Sequence, residues 1–203
     1  MKIRHTVTIR PDAVFLDGVS LPVEGRGMDL LTELYRTYMK DYPKFFKMDL
    51  LSRLGVLATE LLVRDEAGRF SPREDRAVLL FSRSGPLCND GNYQKTIGAD
   101  DYFPSPALFV YTLANIVTGE IAIRNKYAGD TTAYELPEFS EAPFVSAVRA
   151  AFEDRVTTSA VCGWAEALDP DHFEAVLLLV EQDAPDGLPF DEETIQNLKL
   201  QLK

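Results

Sequence analysis

The fold is decided by residues 103–132, FPSPALFVYTLANIVTGEIAIRNKYAGDTT. Ser105-Pro106 reads as a helix start. The serine oxygen can accept a first-turn N–H, and proline suits a turn whose N–H groups have no partner within the helix. Leu108, Tyr111, Leu113, Ile116, Val117, Ile121 and Ala122 follow at helical spacing. They predict one long helix that stops before Gly129. Thr131 and Thr132 then open a short strand over 131–136.

Working outward, residues 48–63 form a stronger helix, with Leu50, Leu51, Leu54, Leu57, Ala58, Leu61 and Leu62 on its apolar side. Residues 28–42 are a further helix, ended by Pro43. AVLLF at 77–81 is a continuous apolar run, the mark of a strand covered on both faces. Residues 3–9 alternate, placing Ile3, His5, Val7 and Ile9 on one side of a strand. A second strand at 13–16 ends at Asp17-Gly18, a hairpin signal. The segment 82–91 reads as a loop and 92–97 as a helical turn. Downstream come a helix at 142–152, strands at 157–168 and 173–182 joined by Asp169-Pro170-Asp171, and an amphipathic helix at 191–202. No linker or repeat divides the chain. This mixed order predicts one α/β domain over 1–203, an α/β/α sandwich around a mixed sheet.

The 203 residues are 46% hydrophobic and 26% charged, ordinary for a packed domain. Lys and Arg number 21 against 32 Asp and Glu, a net charge of −11. Such a chain repels nucleic acid and anionic membranes on average, so neither is expected as a partner. Cys88 and Cys162 make no disulfide framework or zinc pattern. The first ten residues, MKIRHTVTIR, lack the apolar stretch of a signal peptide. The most apolar run, 175–180, is too short to span a bilayer. A cytoplasmic protein is expected.

Chemistry-bearing residues are sparse. His5 and His172 stand apart in sequence, so no metal or cofactor site is expected. Cys162 and His172 would serve as nucleophile and base only if they touched, and Cys162 lies in an apolar run where cysteine is usually packing. Cys88 falls in the segment SRSGPLCNDGN at 82–92, which lacks the spacing of a phosphate-binding loop. Glu120, Glu135, Glu138 and Glu141 are carboxylates of the kind any acidic chain offers. Composition and spacing alone give no catalytic set.

The residues 45–182 do carry an ordered resemblance. Asn115, Gly119, Ile121, Ala122 and Ile123 match the helix motif N-x-x-x-G-x-(L/I)-A-(I/A) of β-ketoacyl synthases, and Gly129-Asp130-Thr131 matches the turn that follows it. Val161-Cys162-Gly163-Trp164-Ala165-Glu166 resembles the family's G-G-A-E signature, Met48, Ser52, Arg53 and Leu54 its early helix, and AVLLF the strand entering a glycine-rich loop. The chain thus resembles the N-terminal half of a β-ketoacyl (3-oxoacyl) synthase of the thiolase-like superfamily. Counted without gaps from Asn115, the family's nucleophilic cysteine falls on Glu138, and counted on from there the G-G-A-E glutamate falls on Glu166.

The resemblance implies a thiolase-like half with a mixed five-stranded sheet and an acyltransferase ancestry. A condensing synthase needs a thiolate for the acyl group and a histidine pair for the thioester oxygen. Glu138 replaces the thiol, and no histidine pair occurs in this sequence. Pro143 moreover places the following helix late, after the elbow position. The implied function is a non-catalytic subunit, a chain-length-factor-like partner of an acyl-carrier-dependent fatty acid, polyketide or pigment synthase. The alternative is a malonyl-carrier decarboxylase or other enzyme using Glu138 as base. Implied partners are a full-length ketoacyl synthase, an acyl carrier protein, or both. Assembly, as homodimer or heterodimer, is expected through 131–136 and the preceding helix, with Thr132→Pro as its probe. The acidic Glu135, Glu138 and Glu141 favour a less acidic partner over a second copy.

Overall fold

A computed structural model describes residues 1–98 and 103–201. The elements are β1 (Lys2–Arg10), β2 (Ala13–Leu16), β3 (Val19–Ser20), α1 (Met28–Leu34), α2 (Leu50–Leu62), β4 (Arg76–Ser82), α3 (Leu87–Gln94), α4 (Pro106–Val110), α5 (Ile116–Asn125), β5 (Thr131–Glu135), α6 (Glu141–Ala151), β6 (Ser159–Asp169), β7 (His172–Glu181), β8 (Leu188–Pro189) and α7 (Glu192–Gln201). Leu202, the last residue of the expected C-terminal helix, lies outside the described residues.

The strands form one mixed sheet in the order β3-β2-β1-β7-β6-β4-β5, with β8 also on β1. β4 runs parallel to both β5 and β6, and the remaining pairs are antiparallel. The five strands β5-β4-β6-β7-β1 make up most of it. The hairpin β2–β3 and the two-residue β8 add to the outer side of β1 and bring the sheet to eight. The hairpin exists because Asp17 and Gly18 both take positive φ (52° and 76°), as a primed turn demands.

Strand alternation builds two cores. Val78, Leu80, Val161, Leu177 and Leu179 face Leu54, Leu57 and Leu61 of α2 and Val117 and Ile121 of α5. Leu79, Phe81, Cys162, Leu178 and Val180 face Phe144 and Val148 of α6 and Ile195 of α7. Every residue of β4 is buried, as a strand covered on both faces requires.

Three expectations fail locally. β1 carries a register shift between Ile3 and His5 against β7. Ile3 therefore lies in the α6–α7 core while Val7 and Ile9 lie in the α2 core. The single long helix is two, α4 and α5. Asn89 Nδ2 donates to Leu108 O (2.8 Å) and Thr112 Oγ1 to Phe109 O (2.7 Å), so side chains hold carbonyls the helix would have used. The same bond from Asn89 explains why residues 87–94 are helix α3 rather than loop: tertiary anchoring overrides the weak propensity of Asn89 and Gly91.

Polar groups gather at the opening ends of β4 and β6. Arg76 is fully buried and its guanidinium makes two 2.7 Å bonds to the Glu66 carboxylate. It also donates to Ser159 Oγ (2.9 Å) and Tyr127 Oη (3.1 Å). Arg73 joins Glu66 to Asp75 beside it. A buried charge this well bonded is compensated, and it fixes the sheet at the end away from the candidate site.

Candidate functional site

In parallel sheets, sites form beyond the carboxyl ends of the strands. Here β4 ends at Ser82 and turns through 83–86 into α3, β5 ends at Glu135 on one side of β4, and Gly163–Glu166 of β6 lies on its other side. A cavity of about 430 Å³ opens there. Phe144, Trp164, Leu178 and Ile195 give it an apolar floor, and Arg10, Arg83, Glu138, Glu166 and Glu174 stand around it.

Glu138 is exposed in the loop between β5 and α6, flanked by Pro137 and Phe139. α6 begins only at Glu141, with Pro143 in its first turn, so Glu138 lies outside the helix as the proline predicted. A ring chain runs inward from this loop. Phe139 meets Trp164 edge-on (centroids 5.7 Å apart) and Phe144 at 5.4 Å, and Phe144 meets Phe81 at 5.1 Å and Phe190 at 5.9 Å.

Glu166 is occupied. Its carboxylate accepts the backbone N–H of Arg83, that of Ser84 (3.3 Å) and the Ser84 hydroxyl. It thereby ties β6 to the turn that follows β4. Gly163, three residues earlier, has φ 155°, and a Cβ on it would meet Val176 O at 2.1 Å. The glycine lets the β7 backbone approach β6 at this point.

The other candidates lie elsewhere. Cys162 is buried on the α6 side, where burial pushes its thiol far up. Cys162 pairs with Leu178, and His172 with Asp169, seven residues further along β6. That is roughly 23 Å at 3.3 Å per residue, so the two do not meet. His172 Nδ1 instead contacts Asp169 (2.9 Å), and His5 Nδ1 contacts Asp17 (2.8 Å). Cys88 sits at the start of α3, half-buried, with burial and then the Asp49 and Asp169 charges raising its thiol. Neither thiol is activated. Glu120 of α5 is buried, ion-paired to Lys44 Nζ (2.7 Å) and bonded by Tyr111 Oη (3.0 Å). Glu135 is exposed at the end of β5, its carboxylate against Gly85.

Sequence reasoning missed Arg10, Arg83 and Glu174, and it met Trp164 only as part of the signature stretch. Arg83 was findable, because it directly follows the buried strand β4. Arg10 and Glu174 were not: their 2.7 Å ion pair depends on the pairing of β1 with β7.

No protein-family model matches the sequence, and no curated protein sequence does. Solved structures do match. The ishigamide ketosynthase/chain length factor superposes with a TM-score of 0.65 at 18% identity, over 93% of this chain and 64% of that one. A ketosynthase in complex with its chain length factor from Xenorhabdus doucetiae gives 0.54 at 18% identity, over 91% and 81%. A β-ketoacyl synthase from Burkholderia phymatum gives 0.53 at 12%, over 89% and 59%. The chain thus has the thiolase-like fold of ketosynthase and chain length factor chains. It spans just under two thirds of the ishigamide chain's length and about four fifths of the Xenorhabdus chain's. Among the described residues no helix is long and apolar enough to cross a membrane.

Proposed function

We propose that this chain is a non-catalytic ketosynthase-like subunit that pairs with a catalytic ketosynthase working on carrier-bound acyl chains, the part a chain length factor plays. The observation that carries the reading is the loop between β5 and α6. By the count from Asn115 the register of the family's nucleophile falls on Glu138 in this loop, and both thiols of the chain lie elsewhere, raised by burial. A carboxylate is a poor acyl carrier and repels a malonyl group. The two unpaired cysteines suit a reducing compartment, in keeping with a cytoplasmic synthase.

The pairing surface in this reading is β5, the edge strand of the sheet. Asp130 O accepts from Val78 N–H (2.7 Å) and Leu136 N–H donates to Ser82 O (2.9 Å). Even-numbered residues therefore bond to β4, and Thr131, Ala133 and Glu135 turn their backbone groups outward. A proline at Thr132 would break the sheet's own ladder. Ala133 is the residue that probes an outer contact.

The test is purification of the tagged chain from its native host, with associated proteins identified by mass spectrometry. A stoichiometric ketosynthase is expected, and the pair, but not this chain alone, should elongate a labelled acyl carrier. Label transferred stably to Cys88 or Cys162, or malonyl-carrier decarboxylation by the isolated chain that Glu138→Gln abolishes, would overturn the reading.

A further inference from the structure

We propose that the segment 35–47 docks an acidic polypeptide, and that Lys44, Glu120 and Tyr111 pass the docking on to α4. The segment consists of a π-helix, Tyr35–Met39, and a 3-10 helix, Pro43–Lys47, folded back on each other around Tyr35. The Tyr35 ring lies against Phe45 (centroids 4.8 Å apart) and Phe46 (4.7 Å). Its hydroxyl donates to Lys40 O (3.1 Å) and accepts the Tyr42 N–H (3.2 Å). Arg53 of α2 donates to Phe45 O (3.2 Å) and Phe46 O (2.8 Å) and holds the far end. This compact unit carries Arg36, Lys40, Lys44 and Lys47 against one acid, Asp41, which itself lies 3.6 Å from Arg124. Its sign is opposite to that of the chain, whose net charge is −11. Among the described residues no carboxylate pairs with Arg36, Lys40 or Lys47, and all three are exposed, as is the Phe46 ring. Such a surface complements a polypeptide face rich in carboxylates.

Lys44 differs from the other three cations. Its Nζ lies 2.7 Å from Glu120 Oε2, which has no other partner among the described residues. The Glu120 side chain is 4% exposed and that of Lys44 41%, so solvent reaches the cation and not the anion. Glu120 Oε1 accepts the Tyr111 hydroxyl (3.0 Å). Burial and then this bond push the phenol up, so it stays a donor. Tyr111 directly follows α4 and lies in the α2 core, whereas α4 itself has no buried residue and exposes Phe109 and Val110. Carboxylates of a docked polypeptide compete with Glu120 for Lys44, like for like. Once Lys44 turns outward, Glu120 is a buried charge without its cation, which is strongly unfavourable. Relief comes as Glu120 gains water, and Tyr111, bonded to the same carboxylate, moves with it and loosens α4. The coupling needs no ketosynthase at β5.

The experiment titrates a short poly-glutamate peptide into the full chain at low salt and follows the heat of binding. Hydrogen exchange is read at the Phe109, Tyr111 and Thr112 amides, which are bonded within α4 and just after it. Saturable binding that weakens with added salt is expected, and those amides should exchange about tenfold faster in the complex. Lys47→Gln should weaken binding about three- to tenfold and leave α4 protected in the absence of peptide. Lys44→Met should loosen α4 with no peptide present. Glu120→Gln keeps the Tyr111 bond and frees Lys44. It should bind the peptide more tightly than wild type while α4 no longer responds, a gain that a merely structural role would not produce. No saturable binding, binding that leaves the α4 amides unchanged, or α4 as protected in Lys44→Met as in wild type would each overturn the proposal. So would Glu120→Gln binding no more tightly than wild type, or a single-stranded oligonucleotide binding as tightly as the peptide.

Discussion

Replacing Glu166 by alanine tests what the signature glutamate does in this chain. The carboxylate takes two backbone N–H groups and one hydroxyl from the turn after β4. Hydrogen bonds to a charged acceptor contribute about 1.5–3 kcal/mol each when buried. Glu166 is only half-buried, so water replaces part of each, and about 1 kcal/mol apiece is appropriate. Glu166→Ala should therefore cost about 3 kcal/mol. For a chain of this size 1 kcal/mol moves the melting temperature by about 2–4 °C, so a fall of about 6–12 °C is expected. Glu166→Gln keeps one acceptor oxygen and should lose about half as much. Urea denaturation supplies the free energies, and hydrogen exchange at the Arg83 and Ser84 amides supplies the location. An alanine variant within about 0.5 kcal/mol of wild type, with those amides still protected, would refute the assignment of Glu166 as the tie between β6 and the turn.

Gly163→Ala should lose at least about 3 kcal/mol, because a methyl 2.1 Å from Val176 O must push the central hairpin apart while the backbone holds a positive φ; melting temperature measures it, and a near-neutral variant would contradict the packing. Arg73 bonded to Asp75 holds that carboxyl far below the usual carboxylate range. Its contribution is then present above the unfolded value near about 4 and lost as pH falls toward the lower folded value. Denaturation between pH 5 and pH 2 should show wild type losing stability more steeply than Asp75→Asn. Ala133→Pro should abolish association with the partner in sedimentation while leaving the melting temperature within about 2 °C, since it removes an outward N–H and no bond to β4.

Much of the fold was legible because its signals are local. The five apolar residues of β4, the apolar stripe of α2, the Asp17-Gly18 turn and the β6–β7 hairpin each carry their own pattern, and each formed. The failures came where a distant residue intervened: Asn89 on the Leu108 carbonyl split a helix, and pairing with β7 shifted β1 after Ile3. The site divides the same way. Glu138 and Glu166 were found by counting along the chain, and they stand at one cavity. The Arg10–Glu174 pair belongs to the folded sheet, and no spacing in the sequence announces it.

The two margins of the sheet are unlike. β3 offers only Val19 and Ser20, and β1 behind it is closed by β2 at one end and β8 at the other. β5 offers a run of five residues. Backbone addition can template on the second margin and finds almost nothing to template on at the first. A molecule with one adhesive margin can join one neighbour, and the union leaves no second margin for a third. Growth into fibres needs two such margins on every unit, so the proposed pairing through β5 would stop at a pair.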